Sequence, residues 1–354
     1  MKLRLGLVRH IPATSQQTRP HVAAWLLATL LGFTNFVSFV SVAAEIPTDP
    51  VQVIHGDMRQ HIADKAKLQV LAEGFQWAEG PVVEAKTGDV LFSDVPANKV
   101  HRYNSKSGLS LYLAPSGYTG LWPEQNPGQG ANGLIFNQHG ELVLAQHGDR
   151  CLAVLKAATP KPSYQCIAQR FADKLLNSPN DVVQAKDGSY YFTDPPYGLR
   201  NGDKSAQKQQ PVNGVYRLAP NGEVTLLVSD LTKPNGLAFS PDGQFLYVAN
   251  SDPAAAKWWR YPVLADGKLG AGTLWYDATS LTSTEAGLPD GLKVKKDGTV
   301  IATGPGGLWF WNSSGQLLGR VKTGVAAANV ALAIDERILY ITASQYLLEI
   351  KLKY

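Results

Sequence analysis

From Glu79 onward the chain repeats one pattern of apolar and polar positions six times. A polar residue, usually followed by Gly, opens a short apolar stretch of alternating character. A turn and a second apolar stretch follow. The segments are EGPVVEAKTGDVLFSD from Glu79, NGLIFNQHGELVLAQ from Asn132, NDVVQAKDGSYYFTD from Asn180, NGLAFSPDGQFLYVAN from Asn235, DGLKVKKDGTVIATG from Asp290 and NVALAIDERILYITA from Asn329. Alternation over four to eight residues bounded by turn residues predicts β-strands. The Asp-Gly pairs at Asp187, Asp242 and Asp297 predict two-residue hairpin loops with both residues at positive φ. Most units carry a further strand pair, such as Gly214–Leu218 followed by Val224–Val228.

Four short strands per unit, with units 39 to 55 residues apart, is the spacing of a propeller. Six units predict an all-β, six-bladed β-propeller. A pair of β-sandwiches would leave the recurring opening residue unexplained. Leu68–Glu73 supplies an extra strand that can close the ring against the last blade. We therefore expect residues 1–44 as a targeting segment, 45–67 as an N-terminal extension and 68–354 as the propeller. The long connections 117–130 and 200–211 are expected to cover one face.

Composition sharpens this picture in two places. The chain of 354 residues holds 33 Lys+Arg against 29 Asp+Glu, a net charge of +4. Lys2, Arg4, Arg9 and Arg19 carry that whole excess, and residues 1–44 contain no acid. The balanced remainder argues against a nucleic-acid partner, which would need clustered positive charge. The same 44 residues run from a basic start through an apolar stretch, Val22–Ala44, to Ser-Val-Ala-Ala before Glu45. That order predicts a signal peptide cleaved after Ala44 and a periplasmic or secreted protein. An uncleaved membrane anchor is the alternative, since the stretch is long enough to span a bilayer. No other apolar run has that length, so no membrane contact is expected of the body. Cys151 and Cys166 flank a turn at Thr159–Pro162 and can either pair across a hairpin or remain free thiols.

If the six openings are equivalent, Glu79, Asn132, Asn180, Asn235, Asp290 and Asn329 meet at one end of the central channel. Two carboxylates held together away from water call for a compensating cation. Oxygen ligands without His or Cys select a hard ion, calcium first, with magnesium, zinc or manganese as alternatives. The structural alternative is that Asn-Gly and Asp-Gly only make tight turns; it is preferred for Asn329 and fails for Glu79.

The motifs AEGPVV (78–83), GANGL (130–134), AQHGDR (145–150), NSPNDVV (177–183), YFTDPPYG (191–198), KPNGLAFSPD (233–242) and LPDGL (288–292) occur in this order. Together they resemble the gluconolactonase/regucalcin (senescence marker protein) family across Leu68–Tyr354. The resemblance implies a six-bladed propeller with one divalent cation, usually calcium, and hydrolysis of a sugar lactone. It implies Glu79, Asn180, Asn235 and Asp290 as cation ligands, with Asp290 also the proton acceptor. Asn132 and His147 would edge the substrate pocket, His147 having a structural alternative in its His-Gly turn. Asp181 is placed with the substrate-binding residues, and Asp181 and Asp194 can each bond the cation's shell or their own turns, the turn being preferred for Asp194. Trp122 and Tyr197 are candidate pocket walls.

The expected reaction is attack of water on a carbonyl polarised by the cation, with Asp290 or Asp181 taking the proton. A carboxylate bound to a cation is a weakened base, so deprotonation of a cation-bound water is the competing route. Hydrolysis of aryl esters or organophosphates, and a non-catalytic propeller with a structural cation, are the competing functions. GPGG at 304–307 has no helix after it and is read as a glycine turn, not a nucleotide loop.

Overall fold

A computed structural model describes residues 45–122 and 129–353. The expected targeting segment and the middle of the 117–130 connection lie outside them.

Six antiparallel sheets form the blades, five of four strands and one of five. In the first the strands are Ala78–Val83, Val90–Asp94, Lys99–Asn104 and Gly108–Leu113, paired in that order from inside to outside. Blades two to five begin with the inner strands Ala131–Phe136, Val182–Gln184, Pro234–Phe239 and Leu292–Val294. The sixth is built from Ala327–Leu332, Ile338–Ala343 and Tyr346–Lys351. Its outer strand is Gln69–Glu73, which pairs Glu73 with Tyr346 and Gln69 with Glu349. The strand expected to close the ring does so.

Second strands such as Val90–Asp94, Leu142–Gln146 and Val300–Gly304 are buried at every position. They are covered on both faces by neighbouring blades, so they read as continuous apolar runs. The core therefore lies between blades. Between the fourth and fifth, Trp258, Trp309 and Trp311 are fully buried, with Trp258 and Trp311 ring centroids 5.1 Å apart. Outer strands such as Thr273–Asp277 remain largely exposed.

Two details differ from the sequence expectation. At the Asp-Gly turns only the glycines, Gly188, Gly243 and Gly298, have positive φ. Each donates its N–H to the carbonyl three residues back, making a type I turn that ends in a left-handed glycine. The aspartates instead accept the N–H two residues on, as Asp187 does from Ser189 and Asp297 from Thr299. The side chain thus stabilises a right-handed turn residue, and no positive φ is needed at Asp.

The 45–67 extension is also part of the architecture. Val51–Val53 adds a fifth strand to blade five, against Leu317–Lys322. A short helix, Met58–His61, then sets Met58 and Ile62, both fully buried, into the core between the last two blades. Cys151 and Cys166 are joined by a disulfide between adjacent strands of blade two. Among the described residues no helix is long and apolar enough to cross a membrane.

Candidate functional site

Five of the six opening residues meet in one cavity, and Asn329 lies beside Glu79 outside its lining. Glu79, Asn132, Asn180, Asn235 and Asp290 line a cavity of about 640 Å³, together with His147 and Tyr197. Glycines bring them together. A Cβ on Gly80 would collide with the Asn132 carbonyl, and one on Gly236 with the Asp290 carbonyl. One on Gly133 would lie 2.8 Å from the Asn180 carbonyl and 2.5 Å from the Asp181 carboxylate. Of these three only Gly80 has positive φ. These glycines therefore serve close approach of neighbouring inner strands more than turn geometry.

The loops leading into the openings are fixed by residues ending second strands. Asp194 accepts N–H bonds from Asn177 and Ser178 at 2.7 and 2.8 Å, just before Asn180. Asp94 accepts from Gln76 and Trp77 at 3.2 Å, just before Glu79. Asn250 accepts from Lys233 at 2.8 Å, just before Asn235. Asp194 thus bonds its own turn, one of its two expected roles.

The site is short of positive charge. Glu79 is 2% exposed, and burial pushes its carboxyl up to about 7. Burial, then the charges of Glu79 and Asp181, raise Asp290 well above the usual carboxylate range. Oδ1 of Asp290 and Oδ1 of Asn132 are buried without a hydrogen-bond partner. Glu79 Oε2 accepts from the N–H of Gly80 at 2.8 Å, and Asn329 Nδ2 lies 3.5 Å away. Asn329 otherwise uses its amide oxygen to bond Val330 N–H, in line with the structural role preferred for it.

Nε2 of His147 lies 3.0 Å from Oδ1 of Asn180, and Asn180 Nδ2 donates to Oδ1 of Asn235 at 2.5 Å. Burial lowers His147 to about 4, so the ring is neutral near pH 7. Its Nδ1 is buried without a partner. Each amide oxygen keeps a second lone pair. Two carboxylates, that of Asp290 with an unpartnered buried oxygen, and two amide oxygens fit a hard divalent cation. Among the described residues no group of three or more His, Cys, Asp or Glu is placed for a metal. Any ligand set here must draw on the amides.

Asp181 is placed otherwise than the expected substrate-binding role requires. It does not line the cavity. It is 3% exposed, accepts the N–H of Val182 at 2.9 Å, and leaves Oδ2 without a partner. Burial raises its pKa, while the charge of Lys293 opposes that rise. One residue on from Asn180, its carboxylate lies outside the cavity lining, yet its charge helps raise both Glu79 and Asp290. Tyr197 is a cavity wall; Trp122 is not, and its Nε1 bonds the Asp149 carbonyl at 3.2 Å.

The sequence reading missed Trp77, Gln129, Ser251, Thr282 and Glu285, which also line the cavity. Trp77 precedes Glu79 by two residues, and Ser251 ends the run YVANS. Glu285 was visible as a lone acid five residues before Asp290.

Residues 77–345 match the family described as the SMP-30/Gluconolactonase/LRE-like region. A gluconolactonase of Zymomonas mobilis is 36% identical over 291 residues, covering 81% of each chain. The structure of a gluconolactonase from Xanthomonas campestris superposes with a TM-score of 0.75 at 28% identity, covering 87% of this chain and 96% of that one. A putative gluconolactonase superposes with a TM-score of 0.72 at 31% identity, covering 85% and 97%.

Proposed function

The chain belongs to the SMP-30/gluconolactonase/LRE-like family, and on that premise we propose that it is a hydrolase opening sugar lactones with water. The observation that carries this reading is the convergence of Glu79, Asn180, Asn235 and Asp290 in the lining of one cavity.

Those four residues would hold a divalent cation. An all-oxygen set with two carboxylates favours calcium, and magnesium, zinc or manganese are the alternatives. When bound, such an ion supplies the Lewis acidity that polarises a lactone carbonyl. Asp290 keeps partial access to the cavity and has an unpartnered oxygen, so it accepts the proton of the attacking water. A carbon–oxygen bond to water forms, the ring carbon–oxygen bond breaks, and the proton passes to the departing alkoxide. Asp181, outside the cavity, does not share this role. Asn132 presents its unpartnered amide oxygen to a bound lactone, and neutral His147 holds the Asn180 amide. Trp77 and Tyr197 form apolar walls.

We place the protein outside the cytoplasm. The basic-then-apolar run ending in Ser-Val-Ala-Ala supports export, and so does the Cys151–Cys166 disulfide.

The test is pH-stat titration of glucono-δ-lactone, aryl esters and an organophosphate, with and without chelator. We expect lactone opening that a chelator removes and calcium restores. Preference for aryl esters or organophosphates would move the assignment to that substrate class. No hydrolysis of any of them would leave a binding propeller.

A further inference from the structure

The cavity contains a third carboxylate, away from the cation ligands. Glu285 sits on the connection between the outer strand of blade four and Asp290, following a 3-10 turn at Thr279–Leu281. Its side chain is 24% exposed and is clamped from one side. Lys322 Nζ donates to Oε1 at 2.6 Å, and Arg320 donates to Oε1 through NH1 and to Oε2 through NH2. Arg320 is 6% exposed, bonds the Pro305 carbonyl, and lies 4.1 Å over the ring of Trp309.

The GPGG turn makes room for this clamp. Gly306 and Gly307 have φ of 79° and 133°, and a Cβ on Gly306 would run into both Glu285 Oε2 and the Arg320 guanidinium. The run that carries no nucleotide chemistry thus seats a carboxylate in the cavity wall. Burial opposes the charge of Glu285, but the bonds from Arg320 and Lys322 outweigh it and hold the pKa below the usual value. An ionised carboxylate has about four lone-pair positions, and three donors occupy this one from behind. It is an acceptor that cannot swing away and faces a cavity. Hydroxyl groups are the donors it suits, because hydrogen bonds to a charged acceptor are stronger than neutral ones.

We propose that Glu285 is a specificity-determining residue that accepts hydrogen bonds from the hydroxyl groups of a polyhydroxylated lactone. This rests on the lactone-hydrolase reading above. The Arg320–Lys322 clamp fixes the carboxylate and lets the cavity distinguish a sugar lactone from an unsubstituted one.

The experiment compares full-length wild type, Glu285→Gln and Glu285→Asp on glucono-δ-lactone and on δ-valerolactone, which has no hydroxyl groups. For Glu285→Gln we expect KM for glucono-δ-lactone to rise about tenfold or more, the loss of one charge-assisted hydrogen bond. Its kcat should be little changed, and kcat/KM for δ-valerolactone should stay within about twofold, as expected for a residue that touches only the hydroxyls. Equal losses on both substrates, or no change on either, would overturn the proposal. Removing the carboxylate leaves Arg320 without its partner, and Glu285→Gln can fail to fold for that reason. Glu285→Asp keeps the charge, and on its own should show the same selective rise in KM. If wild type opens neither lactone, the lactone-hydrolase reading fails and this proposal falls with it. A wild type active on both, with variants that do not discriminate, overturns the role of Glu285 alone.

Discussion

The ring nitrogen Nε2 of His147 lies 3.0 Å from the amide oxygen of Asn180. A neutral ring donates at that contact, which leaves Asn180 Nδ2 to reach Asn235. The imidazole therefore sets the rotation of an amide that the proposed cation site needs. His147→Ala should weaken calcium binding about tenfold or more, the scale seen when an outer partner of a ligand is removed. His147→Gln, which retains a donor, should recover most of it. Calorimetric calcium titration is the check, and unchanged affinity in His147→Ala would refute the positioning role.

The pair Glu79 and Asp290 predicts how pH acts on the cation-free protein. Both carboxyls titrate higher in the folded chain than in the unfolded one. Their protonated forms therefore favour folding. For Glu79 that contribution is complete below about pH 4 and is lost as pH rises through about 7, and Asp290 acts in the same direction. With chelator present, the melting temperature attributable to this site should fall between pH 5 and 8. Added calcium should restore it, and more at pH 8 than at pH 5. A calcium-induced shift that is equal at both pH values would contradict the coupling.

Asp290→Asn should lower kcat for lactone opening by about a thousandfold, within the range of general-base catalysis. Its melting temperature in chelator should not fall, because the change removes a buried charge that is opposed by its neighbours. Near-normal turnover would remove Asp290 from the reaction.

Gly236→Ala tests the packing of inner strands. The added methyl would meet the Asp290 carbonyl, so a destabilisation of about 1–3 kcal/mol is expected from overpacking. Calcium affinity should fall with it, since Asp290 must move. Urea unfolding and calcium titration of one sample measure both, and a variant unchanged in both would show that the strands have slack.

Replacing Cys151 and Cys166 by Ser should cost about 3 kcal/mol, the loop-entropy scale for a closure of 15 residues. Lactone turnover at 25 °C should persist, because neither cysteine lines the main cavity. Loss of activity without loss of folded protein would tie the bridge to the site.

The blades were legible because strands alternate with period two and their turns carry Gly, Asp and Asn at set positions. Equivalence of the six openings then placed Glu79, Asn180, Asn235 and Asp290 together without any contact being visible in sequence. Asp181 falls outside the cavity lining, and the sequence offered Asn180 and Asp181 as adjacent polar residues with nothing to rank them. Val51–Val53 was left outside the propeller because three residues after a proline carry no periodic signal. Glu285 was missed because it lies on a connection, where neither alternation nor repeat marks which residues face inward. Its meaning came only from Arg320 and Lys322, supplied by another blade element.

The strand that completes blade six has a consequence for how the molecule is made. Glu73 pairs with Tyr346, and Val51 pairs with Val321, so the chain's early strands find partners only after nearly everything between them has been synthesised. Contacts of such separation make folding slow and keep unpaired strand edges exposed in the meantime. Five blades can assemble in chain order, but the sixth behaves as a clasp. Its fastening converts a row of sheets into a circle without free ends. Unfastening it would loosen Asn329 from beside Glu79, at the seam where last blade meets first.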